Sequence, residues 1–131
     1  MTELLSPEVL MLRESLRRLL DDIASPEQCA QWDRSDRLPP DLILALAELG
    51  ACGLSVDEVY GGSGKDVPAL LMVVEELARR SMALAGLYVM CVSYAGLNLS
   101  ELGTEAQKQR FLPRVAEGRM LFALGLSEPD V

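Results

Sequence analysis

One short stretch of the chain has the residue types of a phosphate-binding loop. Residues 60–66 read YGGSGKD, and a P-loop has the pattern G-x-x-x-x-G-K-[ST], because its backbone N–H groups wrap the phosphates and its hydroxyl binds Mg²⁺. Gly64 and Lys65 provide the final Gly-Lys, but Asp66 stands where the hydroxyl residue is needed and Val59 where the first glycine is needed. The carboxylate of Asp66 would also repel a triphosphate. The pattern therefore argues against a nucleotide site.

The glycines of this stretch have a structural explanation instead. Gly61, Gly62 and Gly64 precede a predicted helix, and glycine adopts positive φ without steric cost. We expect all three to supply positive φ in a tight turn.

Few residue types that could perform nucleophilic or metal chemistry are present. The chain has no histidine, which excludes Ser-His-Asp and Cys-His schemes and every His-ligated metal site. Cys29, Cys52 and Cys91 form no C-x-x-C pair and are odd in number, which predicts reduced, packed thiols rather than a disulfide framework or a metal site.

Two adjacent glutamates, Glu75 and Glu76, are candidates for a pair of catalytic carboxylates. On a helix, however, neighbouring side chains point about 100° apart, so these two do not converge. Arg79 and Arg80 each follow one of them by four residues. The spacing therefore predicts two i,i+4 ion pairs on a solvated helix face.

Charge and composition exclude further classes of function. The net charge is −8, with no basic cluster, which disfavours a sequence-independent nucleic-acid binder. The N-terminus has no basic region followed by an apolar run, so nothing indicates export, and we expect a cytoplasmic protein. At 131 residues the chain corresponds to about one domain.

The elements that would position any site are helices. Residues that commonly begin helices recur along the chain, at Ser6-Pro7, Ser25-Pro26, Pro39-Pro40-Asp41, Asp66-Val67-Pro68 and Thr104. The sequence predicts an all-α bundle of about six helices, with an extended connection from Gly53 to Asp66. Pro113 should distort the helix that contains it or mark an early end. After Gly118, the apolar run Met120–Leu124 predicts a short buried strand.

The segment from 81 to 100 contains no charged residue. It could span a bilayer, but its polar residues and amphipathic neighbours favour a helix buried in the bundle over a membrane span. On this helix, Met82, Met90, Tyr88 and Tyr94 could be ordinary core or could line an apolar ligand slot, and composition alone does not decide between them.

The order of several segments resembles the N-terminal part of the acyl-CoA dehydrogenase family. They read LAELGACGLSVDEVYGGSGKD, VVEELARRS, LGTEAQKQRFLPRVAEGR and FALGLSEPD. The resemblance implies that residues 1–119 are the N-terminal helical domain of such an enzyme and that 120–131 begin the first strand of a missing β-barrel domain.

The resemblance also implies a chemistry. Members of this family are FAD-dependent oxidoreductases that remove an α-proton and a β-hydride from an acyl-CoA thioester, and an electron-transfer flavoprotein usually reoxidises the flavin. Leu124, Leu126 and Ser127 match flavin-contacting positions. Met90, Cys91 and Tyr94 match positions that line the acyl slot, where large residues would suggest a short or branched acyl chain. The family is usually a homo-oligomer.

Departures from the family pattern limit the expected activity. The segment after Glu-Pro, the barrel and the domain that carries the catalytic base have no counterpart in this sequence, and Asp57 and Val59 depart from the usual loop pattern. We therefore expect no catalytic residue, no metal and no dehydrogenase activity in this chain alone. The alternatives are a stand-alone helical interaction module derived from the family and, more weakly, a membrane-associated helical protein.

Overall fold

The computed structural model describes residues 6–129. The first five residues of the expected domain 1–119 and the last two of the expected segment 120–131 lie outside the described residues. Within residues 6–129 the fold is all-α, as predicted. The helices are α1 (Pro7–Ile23), α2 (Pro26–Ser35), α3 (Leu42–Glu48), α4 (Val67–Arg80), α5 (Met82–Val89), α6 (Asn98–Leu102) and α7 (Glu105–Ala116). A π-helical segment, Met90–Leu97, joins α5 to α6, so Met82–Leu102 is one continuous helix, which we call the long helix. With the long helix counted once, residues 6–129 contain six separate helices.

The helix starts follow the predicted capping residues. The hydroxyl of Ser6 accepts a hydrogen bond from Val9 N at 3.3 Å, and the carboxylate of Asp66 accepts one from Ala69 N at 2.9 Å. Ser25 with Gln28 and Thr104 with Gln107 form full capping boxes, in which each side chain satisfies a backbone N–H of the other residue. These local bonds fix where α1, α2, α4 and α7 begin.

The core lies between the long helix, α4 and α7. Tyr88 is fully buried on the long helix, and its hydroxyl donates to the carbonyl oxygen of Ala51 at 2.8 Å. Burial raises the pKa of the Tyr88 phenol well above its usual range. Cys29, Cys52 and Cys91 are free thiols and are buried, as the sequence predicted.

The long helix has 21 residues and, by length and composition alone, is long and apolar enough to cross a membrane. A core helix of a folded domain meets the same criteria. Here the long helix packs against α4, α7 and the turn Ala51–Ser55.

Of the two predicted i,i+4 ion pairs on α4, one forms and the other does not. Arg79 pairs with Glu75, but Glu76 does not pair with Arg80. Instead, Arg17 of α1 donates two hydrogen bonds to Glu76, at 2.9 and 2.7 Å, and Arg80 pairs with Asp21 of the same helix.

The Arg17–Glu76 pair joins α1 to α4, with Glu76 nearly buried and Arg17 partly exposed. The Glu76 side chain is 9% exposed and that of Arg17 is 41% exposed. The Arg17 guanidinium holds the pKa of the Glu76 carboxyl below its usual range. Glu76 therefore lies in an ion pair between two helices and not on the solvated face that the sequence predicted. Its partner is 59 residues away in the chain, and i,i+4 spacing describes only neighbours within one helix.

The connection between α3 and α4 is compact rather than extended, which corrects the sequence prediction. It contains two 3₁₀ turns, Ala51–Ser55 and Glu58–Tyr60. Gly61 and Gly64 have φ of 88° and 86°, as expected, but Gly62 does not have positive φ. A Cβ on Gly62 would lie 1.9 Å from the carbonyl oxygen of Val56, so this glycine is required by close backbone packing.

Of the two outcomes expected for Pro113, an early end of α7 does not occur, since the helix continues for three more residues to Ala116. The expectation of a buried strand after Gly118 is wrong. The run from Met120 to Leu124 is extended but is not a buried strand: Leu121 and Leu124 are 39% and 55% exposed. A strand needs a partner strand to satisfy its backbone, and residues 6–129 contain none.

Candidate functional site

A groove lies between the C-terminal half of the long helix and residues 119–128, which follow α7 without forming helix or strand and are called the extended segment below. Its volume is about 330 Å³, and it is lined by Tyr94, Asn98, Leu99, Leu102, Gly103, Gln107, Phe122, Ala123 and Leu124. Most of its surface is apolar. An opening of this size and character suits a short apolar group.

The long helix forms one wall of this groove. Tyr94, Asn98 and Leu102 follow one another at intervals of four residues and lie on one face. Tyr94 is half-buried, whereas the Leu102 side chain is 85% exposed. Leu99 is buried behind them and forms part of the floor.

The π-helical segment carries Tyr94 and is held from behind. Gly96 packs so closely against the turn Ala51–Ser55 that a Cβ on it would lie 2.1 Å from the hydroxyl oxygen of Ser55. The hydroxyl of Ser100 also donates to the carbonyl oxygen of Ser55 at 3.1 Å. These contacts fix the long helix at the point where it forms the groove.

The extended segment forms the opposite wall. The backbone N–H of Phe122 donates to the carbonyl oxygen of Met90 at 3.2 Å, which ties the segment to the long helix. Phe122 is half-buried and packs against the core, while Leu124 is more exposed at the rim. Met120 also packs against the core, so two hydrophobic side chains anchor the chain between α7 and the groove.

The start of α7 closes one end of the groove. Gly103 separates the long helix from α7, and Thr104 caps α7 together with Gln107. The Gln107 side-chain oxygen accepts a hydrogen bond from Thr104 N at 2.8 Å, which fixes this side chain at the end of the groove.

The glycine-rich loop supports this end of the groove from outside. Lys65 pairs with Glu101 at 2.6 Å, and the Tyr60 hydroxyl donates to Glu105 at 2.9 Å. The lysine that resembled a phosphate ligand is therefore committed to a carboxylate, and Asp66 caps a helix. These two contacts bind the loop to the junction between the long helix and α7.

The residues predicted for an acyl slot occupy three different environments. Tyr94 lines the groove, and Met90 contributes its backbone carbonyl as the acceptor for Phe122. Cys91 is fully buried and its thiol donates to the carbonyl oxygen of Val115 at 3.5 Å, so it faces the core beneath α7. The groove brings together Tyr94 and Leu124 but leaves Cys91 outside its surface.

The residues predicted for flavin contact lie at the exposed end of the extended segment. Leu124, Leu126 and Ser127 are all exposed. Among the hydrogen bonds of residues 6–129, none is donated by their backbone N–H groups or by the Ser127 hydroxyl. In the same described part, no three His, Cys, Asp or Glu side chains are grouped as metal ligands.

Sequence reasoning missed several groove residues. Asn98, Leu99, Leu102, Gln107 and Phe122 all line it. The four-residue spacing from Tyr94 through Asn98 to Leu102 was a usable signal, since it places these side chains on one helix face. Gln107 and Phe122 carried no such signal. The place of Gln107 depends on the turn at Gly103 and Thr104, and that of Phe122 on the path of the chain after α7.

Comparison with known proteins agrees with this architecture. Residues 6–119 match the family described as Acyl-CoA dehydrogenase, N-terminal domain. The chain belongs to this family. The match ends at the first residue of the extended segment that forms the second wall of the groove.

Several relatives have the same relationship to the chain. It is 33% identical over 126 residues to (2S)-methylsuccinyl-CoA dehydrogenase of Cereibacter sphaeroides, covering 96% of this chain and 23% of that protein. It is 33% identical over 129 residues to glutaryl-CoA dehydrogenase of Desulfococcus multivorans, covering 96% and 33%. The chain therefore spans a third or less of these curated relatives.

A solved structure shares the fold. It comes from a study of the electron transferring flavoprotein of Acidaminococcus fermentans and flavin-based electron bifurcation. The TM-score is 0.85 at 30% sequence identity, over 95% of this chain and 33% of that one. The helical arrangement described above is thus the arrangement found in this flavin-related structure.

Proposed function

We propose that this chain is the N-terminal part of an FAD-dependent acyl-CoA dehydrogenase and that its groove forms part of the acyl-chain slot. The observation that carries the proposal is the apolar groove between Tyr94 on the long helix and Leu124 on the extended segment. Family membership supports the reaction class, since the relatives named above are dehydrogenases of CoA thioesters.

The walls of the groove would bind the acyl chain and exclude water. Leu99, Leu102, Phe122 and Leu124 provide apolar surface, and removing apolar surface from water is the main driving force for holding an alkyl group. Tyr94 would limit the depth of the slot by its bulk.

The exposed end of the extended segment would contribute to the flavin site. Leu124, Leu126 and Ser127 offer backbone and hydroxyl donors that are unused within the described residues, which fits the acceptor atoms of an isoalloxazine ring. FAD, when bound, supplies the acceptor for the hydride that leaves the β-carbon. Met90 would act through its carbonyl, which holds the extended segment in place.

Several properties follow from the proposal rather than from the groove itself. Acyl-CoA is the substrate, an electron-transfer flavoprotein is the redox partner, and the complete enzyme is a cytoplasmic homo-oligomer. The chain alone is inactive, because none of the groove residues is a carboxylate or another base that could remove an α-proton.

The first test is binding of an acyl probe to the groove. Pentanoyl-pantetheine, which carries the thioester without the nucleotide of CoA, is titrated into ¹⁵N-labelled chain and followed by NMR. We expect amide shifts at Tyr94, Leu99 and Phe122, and weaker binding in Leu124→Asp. The control is Leu121→Asp, because Leu121 lies on the same segment and is exposed but does not line the groove. Shifts spread over the surface, or equal loss in both variants, would contradict the slot assignment.

The second test concerns the whole protein. Intact mass spectrometry of the species that the source organism makes should give about three times the mass of this chain, as for the relative of which the chain covers 33%. A species of 14.3 kDa would overturn the dehydrogenase proposal. It would leave the interaction module, with Leu121, Leu124 and Leu126 as its exposed apolar surface.

A further inference from the structure

Two buried thiols lie outside the groove, and the packing of the core brings them together. Cys52 is on the turn Ala51–Ser55 and Cys91 is in the π-helical segment Met90–Leu97, and both side chains are fully buried. Neither residue lines the groove. A pair of thiols in contact can perform thiol–disulfide chemistry that a single buried thiol cannot complete within one chain.

The turn that carries the first cysteine lies along the long helix, and contacts at both ends of the turn fix its position. At one end the Tyr88 hydroxyl donates to the carbonyl oxygen of Ala51 at 2.8 Å. At the other end Gly96 packs against the side chain of Ser55. The two cysteines lie between these contacts, each on its own element, so the same packing that holds the turn on the helix places the thiols beside each other.

The hydrogen bonds of the two thiols lead to one small region beneath the end of α7. The Cys91 thiol donates to the carbonyl oxygen of Val115 at 3.5 Å, and the Cys52 thiol donates to that of Ile43 at 3.9 Å. Gly118 connects these two acceptors, because its N–H donates to the Val115 oxygen at 2.9 Å and a Cβ on it would lie 2.8 Å from the Ile43 oxygen. The thiols therefore share one pocket of the core.

The ionisation of nearby groups agrees with this packing. The pKa of the Cys52 thiol is raised, first by its hydrogen bond with the Cys91 thiol and then by burial. Burial, and after it both of these thiols, raises the pKa of the Tyr88 phenol. Cys29 lies elsewhere, on α2, where its thiol donates to the carbonyl oxygen of Ala24 at 3.6 Å. The three cysteines thus divide into one close pair and one separate thiol.

We propose that Cys52 and Cys91 are a buried dithiol that a small disulfide, such as oxidised glutathione, converts to an intramolecular disulfide bond. When local opening exposes the pair, one thiol loses its proton to water, and its thiolate attacks a sulfur of glutathione disulfide. The glutathione S–S bond breaks and one glutathione leaves as a thiolate. The second cysteine then loses its proton and attacks the protein sulfur of the mixed disulfide, which releases the second glutathione. Two protein thiols are oxidised, one glutathione disulfide is reduced, and the two released thiolates take up the two protons.

Closing this bond removes little from the folded state. The two S–H groups that disappear are weak donors, and the Val115 carbonyl keeps the N–H of Gly118 as a partner. The new bond joins the turn Ala51–Ser55 to the long helix. It therefore opposes the separation of these two elements, which is the opening that exposes this part of the core.

The experiment measures the equilibrium between dithiol and disulfide in the unchanged chain. The chain is equilibrated in buffers of reduced and oxidised glutathione, starting once from the reduced and once from the oxidised protein, and remaining thiols are blocked with N-ethylmaleimide. Trypsin cleaves after Lys and Arg, so each cysteine falls in a different peptide, with residues 19–34, 38–65 and 81–108. We expect a crosslink between the second and third of these peptides, with the first peptide blocked by N-ethylmaleimide.

The same measurement in urea shows whether the fold is responsible. A shorter loop closes at lower entropic cost, so the unfolded chain should favour a bond between Cys29 and Cys52, which are closer in sequence than Cys52 and Cys91. We expect the equilibrium constant for the Cys52–Cys91 bond to be at least about tenfold larger in native protein than in urea. An equal or smaller constant in native protein would overturn the proposal, as would a native crosslink that contains Cys29.

A matched variant separates the pair from the third thiol. Cys29→Ser should leave the native equilibrium constant of the Cys52–Cys91 bond unchanged within about twofold, because Cys29 has no part in the pair. A Cys52–Cys91 bond that no longer forms in folded Cys29→Ser would show that the pair does not act as a dithiol by itself, and would overturn the proposal.

Discussion

The α-carbon of Gly96 faces the side chain of Ser55 so closely that a Cβ added to the glycine would lie 2.1 Å from the Ser55 hydroxyl oxygen and 2.8 Å from its Cβ. Because the clash involves the Cβ as well as the hydroxyl, rotation of Ser55 cannot relieve it. This contact sets the distance between the π-helical segment and the turn Ala51–Ser55, and hence the position of Tyr94.

The first prediction is that Gly96→Ala destabilises the fold by about 1–3 kcal/mol, as overpacking of a tight interior contact does. Gly86→Ala on the same helix is the matched control, since Gly86 is exposed and a Cβ there would meet nothing within 4 Å. The control should gain about 0.5–1 kcal/mol, because alanine favours helix over glycine. Urea denaturation of both variants measures the change in the free energy of unfolding, which should be negative for Gly96→Ala and positive for Gly86→Ala. A loss of stability of equal size in both variants would refute the packing argument.

The second prediction concerns the Arg17–Glu76 pair. At pH 7, Glu76→Gln should lower the free energy of unfolding by about 1–2 kcal/mol, because the replacement weakens two charge-assisted hydrogen bonds at a nearly buried site. Glu75→Gln, at the more exposed pair with Arg79, should cost about 0–0.5 kcal/mol.

The pH dependence gives this prediction its sign. The folded-state pKa of Glu76 is lowered, chiefly by its hydrogen bonds to Arg17. The contribution of the Glu76 carboxylate to the free energy of unfolding is therefore fully present above the usual carboxyl pKa of about 4.3. This contribution is lost as the pH falls through the lower folded-state pKa. Urea titrations from pH 7 downward should show the difference between the unchanged chain and Glu76→Gln shrink in that acidic range. A difference that stays constant with pH would mean that the carboxylate charge is not the source.

The sequence predicted those parts of the fold that depend on local chemistry. Ser6, Ser25, Asp66 and Thr104 cap helices where expected, because a capping side chain bonds to a backbone N–H only two or three residues away. Gly61 and Gly64 have positive φ for an equally local reason. The family resemblance, which rests on the order of several such segments, is confirmed by the match over residues 6–119.

Features that depend on distant parts of the chain could not be derived in this way. Glu76 takes its partner from α1, 59 residues earlier, in preference to the arginine one turn away. Gly62 is needed because the loop folds back onto Val56, not because of its own φ. The groove likewise joins Tyr94 to Phe122 and Leu124 through the path of the chain after α7, which no periodicity in the sequence describes.

The third prediction concerns the buried hydroxyl of Tyr88. Tyr88→Phe should cost about 1–2 kcal/mol of stability, because it leaves the buried carbonyl of Ala51 without the donor that now lies 2.8 Å away. Tyr94→Phe is the control, since the Tyr94 hydroxyl makes no hydrogen bond within residues 6–129 and should be removable at little cost in stability. Thermal unfolding followed by circular dichroism compares the two, and equal melting temperatures would contradict the assigned role of the Tyr88 bond.

The fourth prediction uses the three thiols as reporters of opening. Cys52 and Cys91 are fully buried and Cys29 is 7% exposed. Burial raises the pKa of the Cys29 thiol, and the neighbouring Cys91 together with burial raises that of Cys52, so little thiolate is available for reaction. We expect native protein to react with 5,5′-dithiobis(2-nitrobenzoic acid) slowly, in two phases.

The faster phase should belong to Cys29, which lies nearest the surface on the short helix α2. It should disappear in Cys29→Ser, a substitution that keeps a donor for the carbonyl oxygen of Ala24, to which the Cys29 thiol now donates at 3.6 Å. The slower phase should follow opening of the core between the turn Ala51–Ser55 and the long helix, and in Gly96→Ala it should accelerate because that contact is weakened. Rapid reaction of two or more thiols in native protein would show that Cys52, Cys91 or both are accessible, and would contradict the packing that also fixes the wall of the groove.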